Sequence, residues 1–94
     1  MTKSELAEIV SLKMQTTKKM AEDVVSHIFD NMTQALSQGR RIEIRGFGAF
    51  SIRDYKSYVG RNPKTGDKVE IPPKRLPFFK VGKDMKERVD EKEQ

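Results

Sequence analysis

Residues 39–52 read Gly-Arg-Arg-Ile-Glu-Ile-Arg-Gly-Phe-Gly-Ala-Phe-Ser-Ile, and where their apolar side chains fall decides the fold. Before Gly39 the apolar residues recur with a helical period near 3.6; after it they alternate with a period of 2. In Arg41-Ile42-Glu43-Ile44-Arg45 the two isoleucines share one face of a strand, and Arg41, Glu43 and Arg45 share the other. Gly46-Phe47-Gly48 supplies a turn, and Phe50 and Ile52 resume the alternation in a returning strand. A helical stretch that changes to strands at one glycine predicts an α+β fold.

Upstream, Thr2-Lys3-Ser4-Glu5 has the spacing of a capping box, in which cap and glutamate satisfy each other's backbone donors. Leu6, Ile9, Val10 and Met14 then follow helical spacing, predicting a short helix over about 3–14. Thr16-Thr17 offers a hydroxyl cap for a longer helix whose Val24, Val25, Ile28, Phe29, Met32, Ala35 and Leu36 lie on one broad face. Gly39 is its natural stop. Downstream, Leu76 and Phe78 are read as the buried face of a third strand, with Phe79 pointing oppositely. A final amphipathic helix begins near Lys83, with Met85 and Val89 on its apolar side, and its charged end, Asp90–Gln94, is expected to fray.

The segment between Arg53 and Arg75 behaves differently. Its larger apolar residues are Tyr55, Tyr58, Val59, Val69 and Ile71, while basic residues recur throughout. It reads as a long hairpin turning at Asn62–Asp67, with Pro72-Pro73 interrupting the return. A two-stranded hairpin is marginal in water, so this arm needs a partner. Asn-Pro and Thr-Gly are ordinary turn formers, and on that ground alone Pro63 needs no further role.

Charge points the same way. Residues 40–83 hold twelve Lys/Arg against four Asp/Glu, a net +8, whereas residues 1–39 are at −1 and residues 84–94 at −2. Basic charge concentrated mid-chain is the footprint of a polyanion partner, though a solvated basic surface would give the same count. At 94 residues the chain is one domain at most, close to the size where a single core is marginal. It has no cysteine to staple it, so oligomerisation is the obvious supplement. The apolar faces of the long helix and sheet favour a dimer sharing one core over a compact monomer filled by the five phenylalanines. No run is apolar enough for a signal peptide or membrane span, which leaves a cytoplasmic protein as the expectation. His27 stands alone mid-helix, the methionines Met14, Met20 and Met32 read as core filler, and the carboxylates form no catalytic cluster. No metal, cofactor, small-molecule substrate, membrane surface or enzyme activity is expected.

Three motifs, "MTKSEL" from Met1, "GRRIEIRGFGAF" from Gly39 and "GRNPKTGDKVEIPPKRLPFFKVGKDMK" from Gly60, resemble the HU/integration host factor family of bacterial nucleoid proteins. The likeness runs in order through essentially the whole chain. The strand "RIEIRGFG" and the N-terminus are most similar to the beta-type branch of that family. The resemblance implies an intertwined homodimer, or a heterodimer with an alpha-type subunit, carrying a helical body and two β-ribbon arms that wrap the DNA minor groove. It implies architectural bending of double-stranded DNA in the bacterial nucleoid, serving nucleoid organisation, recombination and transcription control. The competing expectation is a small basic RNA- or ribosome-associated module that does not bend its ligand.

The same resemblance implies a division of the single domain 1–94. Residues 1–39 are the helical dimerisation part, 40–53 and 74–82 the sheet, 54–73 the DNA-binding arm and 83–94 the last helix. Pro63 matches the arm-tip proline that intercalates between base pairs. Arg53, Lys56, Arg61, Asn62, Lys64, Lys68, Lys74 and Arg75 fall on the DNA-binding arm and its base. Arg41, Glu43 and Arg45 match a strand that contributes to site preference, and Gly46, Phe47 and Gly48 match a turn whose amides approach phosphate. Thr2, Lys3, Lys83 and Lys86 lie near helix N-termini, where free N–H groups suit phosphate, and Lys80 extends the basic flank. The chain departs from its relatives in "DYKSYVG", which lacks a proline and a second arginine, and at Val81, where a proline is common.

Overall fold

A computed structural model describes residues 1–91, and the C-terminal residues 92–94 of the expected last helix lie outside it. The chain divides into two units, Met1–Gln38 and the part from Gly39 onward.

The first unit is a pair of helices, α1 (Lys3–Lys13) and α2 (Lys18–Ser37). Thr2 caps α1 by accepting the Glu5 N–H on Oγ1 at 3.1 Å, and Thr17 caps α2 by accepting the Met20 N–H at 3.1 Å. Between the helices, Gln15 takes a left-handed φ of 53°, and the Thr16 N–H reaches back 3.1 Å to the Ser11 carbonyl. This is a Schellman-type ending with glutamine where glycine is usual. Gly39, at φ 78°, follows the end of α2 as expected. Ala7, Ala21 and Val25 are buried at the crossing, with Leu6 and Val10 packed against them. The small alanines let the helices approach closely, but most of the α2 apolar face stays open: Val24, Ile28 and Phe29 are each more than 40% exposed.

The second unit holds β1 (Ile42–Ile44), β2 (Gly48–Tyr55), β3 (Tyr58–Arg61), β4 (Lys68–Ile71), β5 (Lys74–Val81) and α3 (Lys83–Asp90). The strands β1-β2-β5 form an antiparallel sheet, and β3-β4 form a two-stranded ribbon. Pairing sets Ile42 opposite Phe50 and Phe50 opposite Phe79, so Ile42, Ile44, Phe50, Ile52, Phe79 and Val81 share one face. The rings of Phe47 and Phe50 lie 5.6 and 4.7 Å from that of Phe79.

This register reverses the sequence reading of β5. Phe79 belongs to the apolar face, whereas Leu76 and Phe78 stand on the opposite face with Arg53 and Lys74. Phe78 is nonetheless half-buried, because the Arg53 guanidinium lies 3.4 Å above its ring. Pro77 is tolerated because β5 is an edge strand. With valine at position 81, β5 keeps an N–H there and pairs through to Gly48.

The GFG turn joins β1 to β2 and seats α3. The Phe47 N–H donates to the Ile44 carbonyl at 3.0 Å, and Gly46 takes φ 84°, a conformation that favours glycine. The Gly46 carbonyl accepts the Met85 N–H at 3.1 Å, and the Phe47 carbonyl accepts the Gly82 N–H at 2.9 Å. Gly82 has no side chain with which to cap α3, so a distant backbone carbonyl satisfies a first-turn donor instead.

Candidate nucleic-acid interface

The candidate interface is the ribbon that grows out of the sheet. Strands β2 and β5 pair as far as Tyr55–Lys74, and β3 and β4 resume at Tyr58–Ile71 in the same register. Between them Lys56 and Ser57 face Pro73 and Pro72, which have no N–H to continue the ladder. The two sheets are therefore one hairpin with a proline break in its shaft.

On the sheet, Arg53, Lys74 and Lys80 share a face with Ser51, Leu76 and Phe78. Lys74 lies 6.0 Å above the Tyr55 ring, so two cations on this face rest on aromatic surfaces. Stacking of this kind holds a long side chain extended while leaving its charge available. Arg75 stands on the other face, paired with Asp54 at 3.2 Å and lying against Gly39. In the ribbon, Tyr58, Gly60, Val69 and Ile71 share one face, and Val59, Arg61, Lys68 and Glu70 share the other. Arg61 and Lys68 are direct cross-strand partners. Like charges so placed repel unless an anion lies between them.

The tip is tightly hydrogen-bonded. The Asn62 N–H donates to the Asp67 carbonyl at 2.9 Å, and the Asn62 carbonyl accepts the Gly66 N–H at 2.7 Å. Asn62 Oδ1 accepts the Lys64 N–H at 2.9 Å, and Thr65 Oγ1 accepts the Asp67 N–H at 3.3 Å. Gly66 turns the chain at φ 74°. Pro63, Lys64 and Thr65 stand exposed at the apex.

The remaining expected residues fall in three places. Arg41, Glu43 and Arg45 lie along β1 and its turn; Arg41 reaches Glu43 at 3.9 Å, while Arg45 makes no ion pair among the described residues. Gly46, Phe47 and Gly48 form the turn, but its Phe47 amide is already used internally, leaving the Gly46 N–H without a protein partner among the described residues. Lys83 and Lys86 lie in the first turn of α3, Lys83 reaching Glu87 at 4.0 Å. In the first unit Thr2 caps α1 and Lys3 opens it. These ion pairs are exposed and contribute little, about 0–1 kcal/mol, so each cation can exchange its carboxylate for a phosphate.

Two features escape sequence reading. Asp84 places its carboxylate beside Gly46 at the start of α3, so an acidic group shares the place expected for phosphate. The Arg53–Phe78 stack joins residues 25 apart in sequence, and only the strand register reveals it. Among the described residues no group of His, Asp or Glu could hold a metal ion, and no helix is long and apolar enough to cross a membrane.

Residues 1–90 match the family described as bacterial DNA-binding protein. The chain is 54% identical to integration host factor subunit beta of Idiomarina loihiensis, over 96% of this chain and 97% of that one. It is also 54% identical to the Nitrosospira multiformis subunit beta, over 98% and 99%. Among solved structures it is similar to Anabaena HU in a cocrystal with DNA, with a TM-score of 0.86 and 41% identity over 96% of this chain and 98% of that one. HU from Thermotoga maritima matches with a TM-score of 0.66 and 29% identity, over 96% and 100%.

Proposed function

Since the chain belongs to the bacterial DNA-binding protein family, a family of DNA-binding proteins rather than enzymes, we propose that it bends duplex DNA by wrapping it with the ribbon and inserting Pro63 between base pairs. The observation that carries the proposal is the tip itself: a rigid, exposed, apolar ring beyond a cross-strand Arg61–Lys68 pair, neither of which makes an ion pair among the described residues. The proline ring has no N–H to leave unpaired when it replaces a stacked base. Arg53, Lys56, Arg61, Lys64, Lys68 and Lys74 neutralise phosphates along the ribbon. Arg45, Lys80, Lys83, Lys86 and the Gly46 amide serve the body of the site in the second unit; in the first unit, Thr2 and Lys3 are separate phosphate contacts at the start of α1. Unstacking costs a few kcal/mol, offset by added contact along the bent duplex. Sequence preference then arises mainly from DNA shape, because the minor groove distinguishes few base pairs.

The functional particle is a dimer, either of this chain or with an alpha-type subunit. Its support is the apolar surface left open: Ile28 is 51% exposed, Phe29 42% and Phe47 43%, while only three residues of the described chain are buried hydrophobics. Surface of that kind rarely stays free in a lone small domain. Light-scattering mass measurement, alone and with an alpha-type subunit, gives a dimer; a folded monomer in both samples contradicts this. The site of action is the bacterial nucleoid, with recombination and transcription as the processes served.

Energy transfer between dyes at the ends of a duplex of about 35 base pairs tests the bending. That length is far below the persistence length of about 150 base pairs, so the ends approach only when the duplex is deformed. A saturable rise in transfer supports the proposal. Binding without a rise favours a basic module that coats its ligand.

A further inference from the structure

Two of the four hydrogen bonds at the arm tip hold the two peptide planes beside Pro63, and we infer that Asn62 and Gly66 are positioning residues that aim the proline ring. The inference rests on the reading of Pro63 as a wedge. The plane preceding Pro63 carries the Asn62 carbonyl, which the Gly66 N–H holds at 2.7 Å. The plane following it carries the Lys64 N–H, which Asn62 Oδ1 holds at 2.9 Å. The proline ring fixes the remaining φ between the two planes. Its orientation relative to the ribbon is therefore set on both sides. The Asn62 N–H to the Asp67 carbonyl, at 2.9 Å, ties the same residue to the returning strand.

This accounts for Asn62 better than a role confined to base-edge recognition. Its N–H, C=O and Oδ1 are all engaged inside the turn, and only the side-chain NH2 remains for DNA. Gly66 has no side chain, and a Cβ there would meet nothing within 4 Å. Its requirement is conformational: φ is 74°, which L residues other than Asn and Asp rarely adopt. A floppy tip would order its wedge only on insertion and lose affinity by that ordering; a preformed one does not.

Substitutions that keep or remove each constraint without adding charge provide the test. Asn62→Ala removes the acceptor, whereas Asn62→Ser keeps a hydroxyl that can accept the same N–H. Gly66→Ala strains the turn, whereas Gly66→Asn tolerates the left-handed conformation. Each is measured for affinity and end-to-end energy transfer on an intact duplex, with Pro63 present and in the Pro63→Ala background. Asn62→Ala and Gly66→Ala each weaken binding about threefold to fivefold and lower the transfer at saturation, the size expected for one exposed hydrogen bond or one strained residue. Asn62→Ser and Gly66→Asn recover most of the loss, and none of the four has a further effect once Pro63 is alanine. Hydrogen exchange at the Lys64 and Gly66 amides of the free protein speeds up in the two alanine variants.

If Asn62→Ser is as damaging as Asn62→Ala, and the loss persists without Pro63, Asn62 acts on DNA through its own amide and the inference is overturned. If Pro63→Ala lowers bending while Asn62→Ala and Gly66→Ala do not, the inference alone fails. If Pro63→Ala bends DNA like the parent, the wedge reading fails and takes the inference with it.

Discussion

Replacing Gly48 by alanine separates the architecture of the site from its chemistry. A Cβ at Gly48 would lie 2.5 Å from Cζ of Phe79 and 2.6 Å from the Lys80 carbonyl oxygen. The Lys80 carbonyl cannot yield easily because it belongs to the strand paired with β2, and the Phe79 ring, though partly exposed, can turn away only by giving up its contacts with Phe47 and Phe50. Relief requires a shift of the β2–β5 backbone or loss of the aromatic cluster. Overpacking of this type costs about 1–3 kcal/mol. In a domain of this size each kcal/mol lowers Tm by about 4–8 °C, so a fall of about 10 °C is expected. Gly60→Ala is the matched control, since its Cβ would meet only ordinary contacts, the nearest 3.6 Å from Ile71 Cγ1. Thermal melts followed by far-ultraviolet circular dichroism, at one protein concentration because dimerisation shifts Tm, should separate the two variants. A Gly48→Ala protein melting within about 2 °C of the parent, well inside the shift of about 4–8 °C for a single kcal/mol, would refute the close-approach argument.

Gln15→Gly relieves a left-handed glutamine at the end of α1 and raises stability by about 0.5–1 kcal/mol, seen as a higher urea midpoint at unchanged slope. Arg53→Ala uncovers Phe78 and, on the proposed binding mode, removes one phosphate contact of the chain. The plot of log affinity against log salt should flatten by about 0.9 per lost contact, and an unchanged slope would place Arg53 away from the DNA. Arg45→Ala, which breaks no ion pair among the described residues, reduces preference between sequences more than total binding in a selection of bound duplexes. An equal loss on every sequence makes it a plain phosphate contact.

The helices were legible because their signals are local. Thr2, Thr17 and Gly39 each act within four residues, and each ends up where its chemistry requires. The arm was legible because apolar residues are scarce between Arg53 and Arg75, and because Asn-Pro and Thr-Gly mark a turn. The faces of β5 were not. Leu76-Pro77-Phe78-Phe79 has apolar residues at both parities, so alternation has two solutions, and the pairing of Phe79 with Phe50 chooses between them. Gln15 carried no signal, since glutamine does not favour a left-handed conformation; the Thr16 N–H to Ser11 bond holds it there. The seating of α3 on the Gly46 carbonyl is a backbone bond across 39 positions, which side-chain pattern does not encode.

In the proposed mechanism Pro63 deforms the duplex rather than merely resting on it. End-to-end energy transfer at saturating protein, for the parent and Pro63→Ala on the same intact duplex, tests this most directly. Lower transfer is expected for Pro63→Ala, with salt-sensitive binding retained and weaker discrimination in favour of nicked or pre-bent DNA. Transfer equal to the parent's at saturation would contradict it.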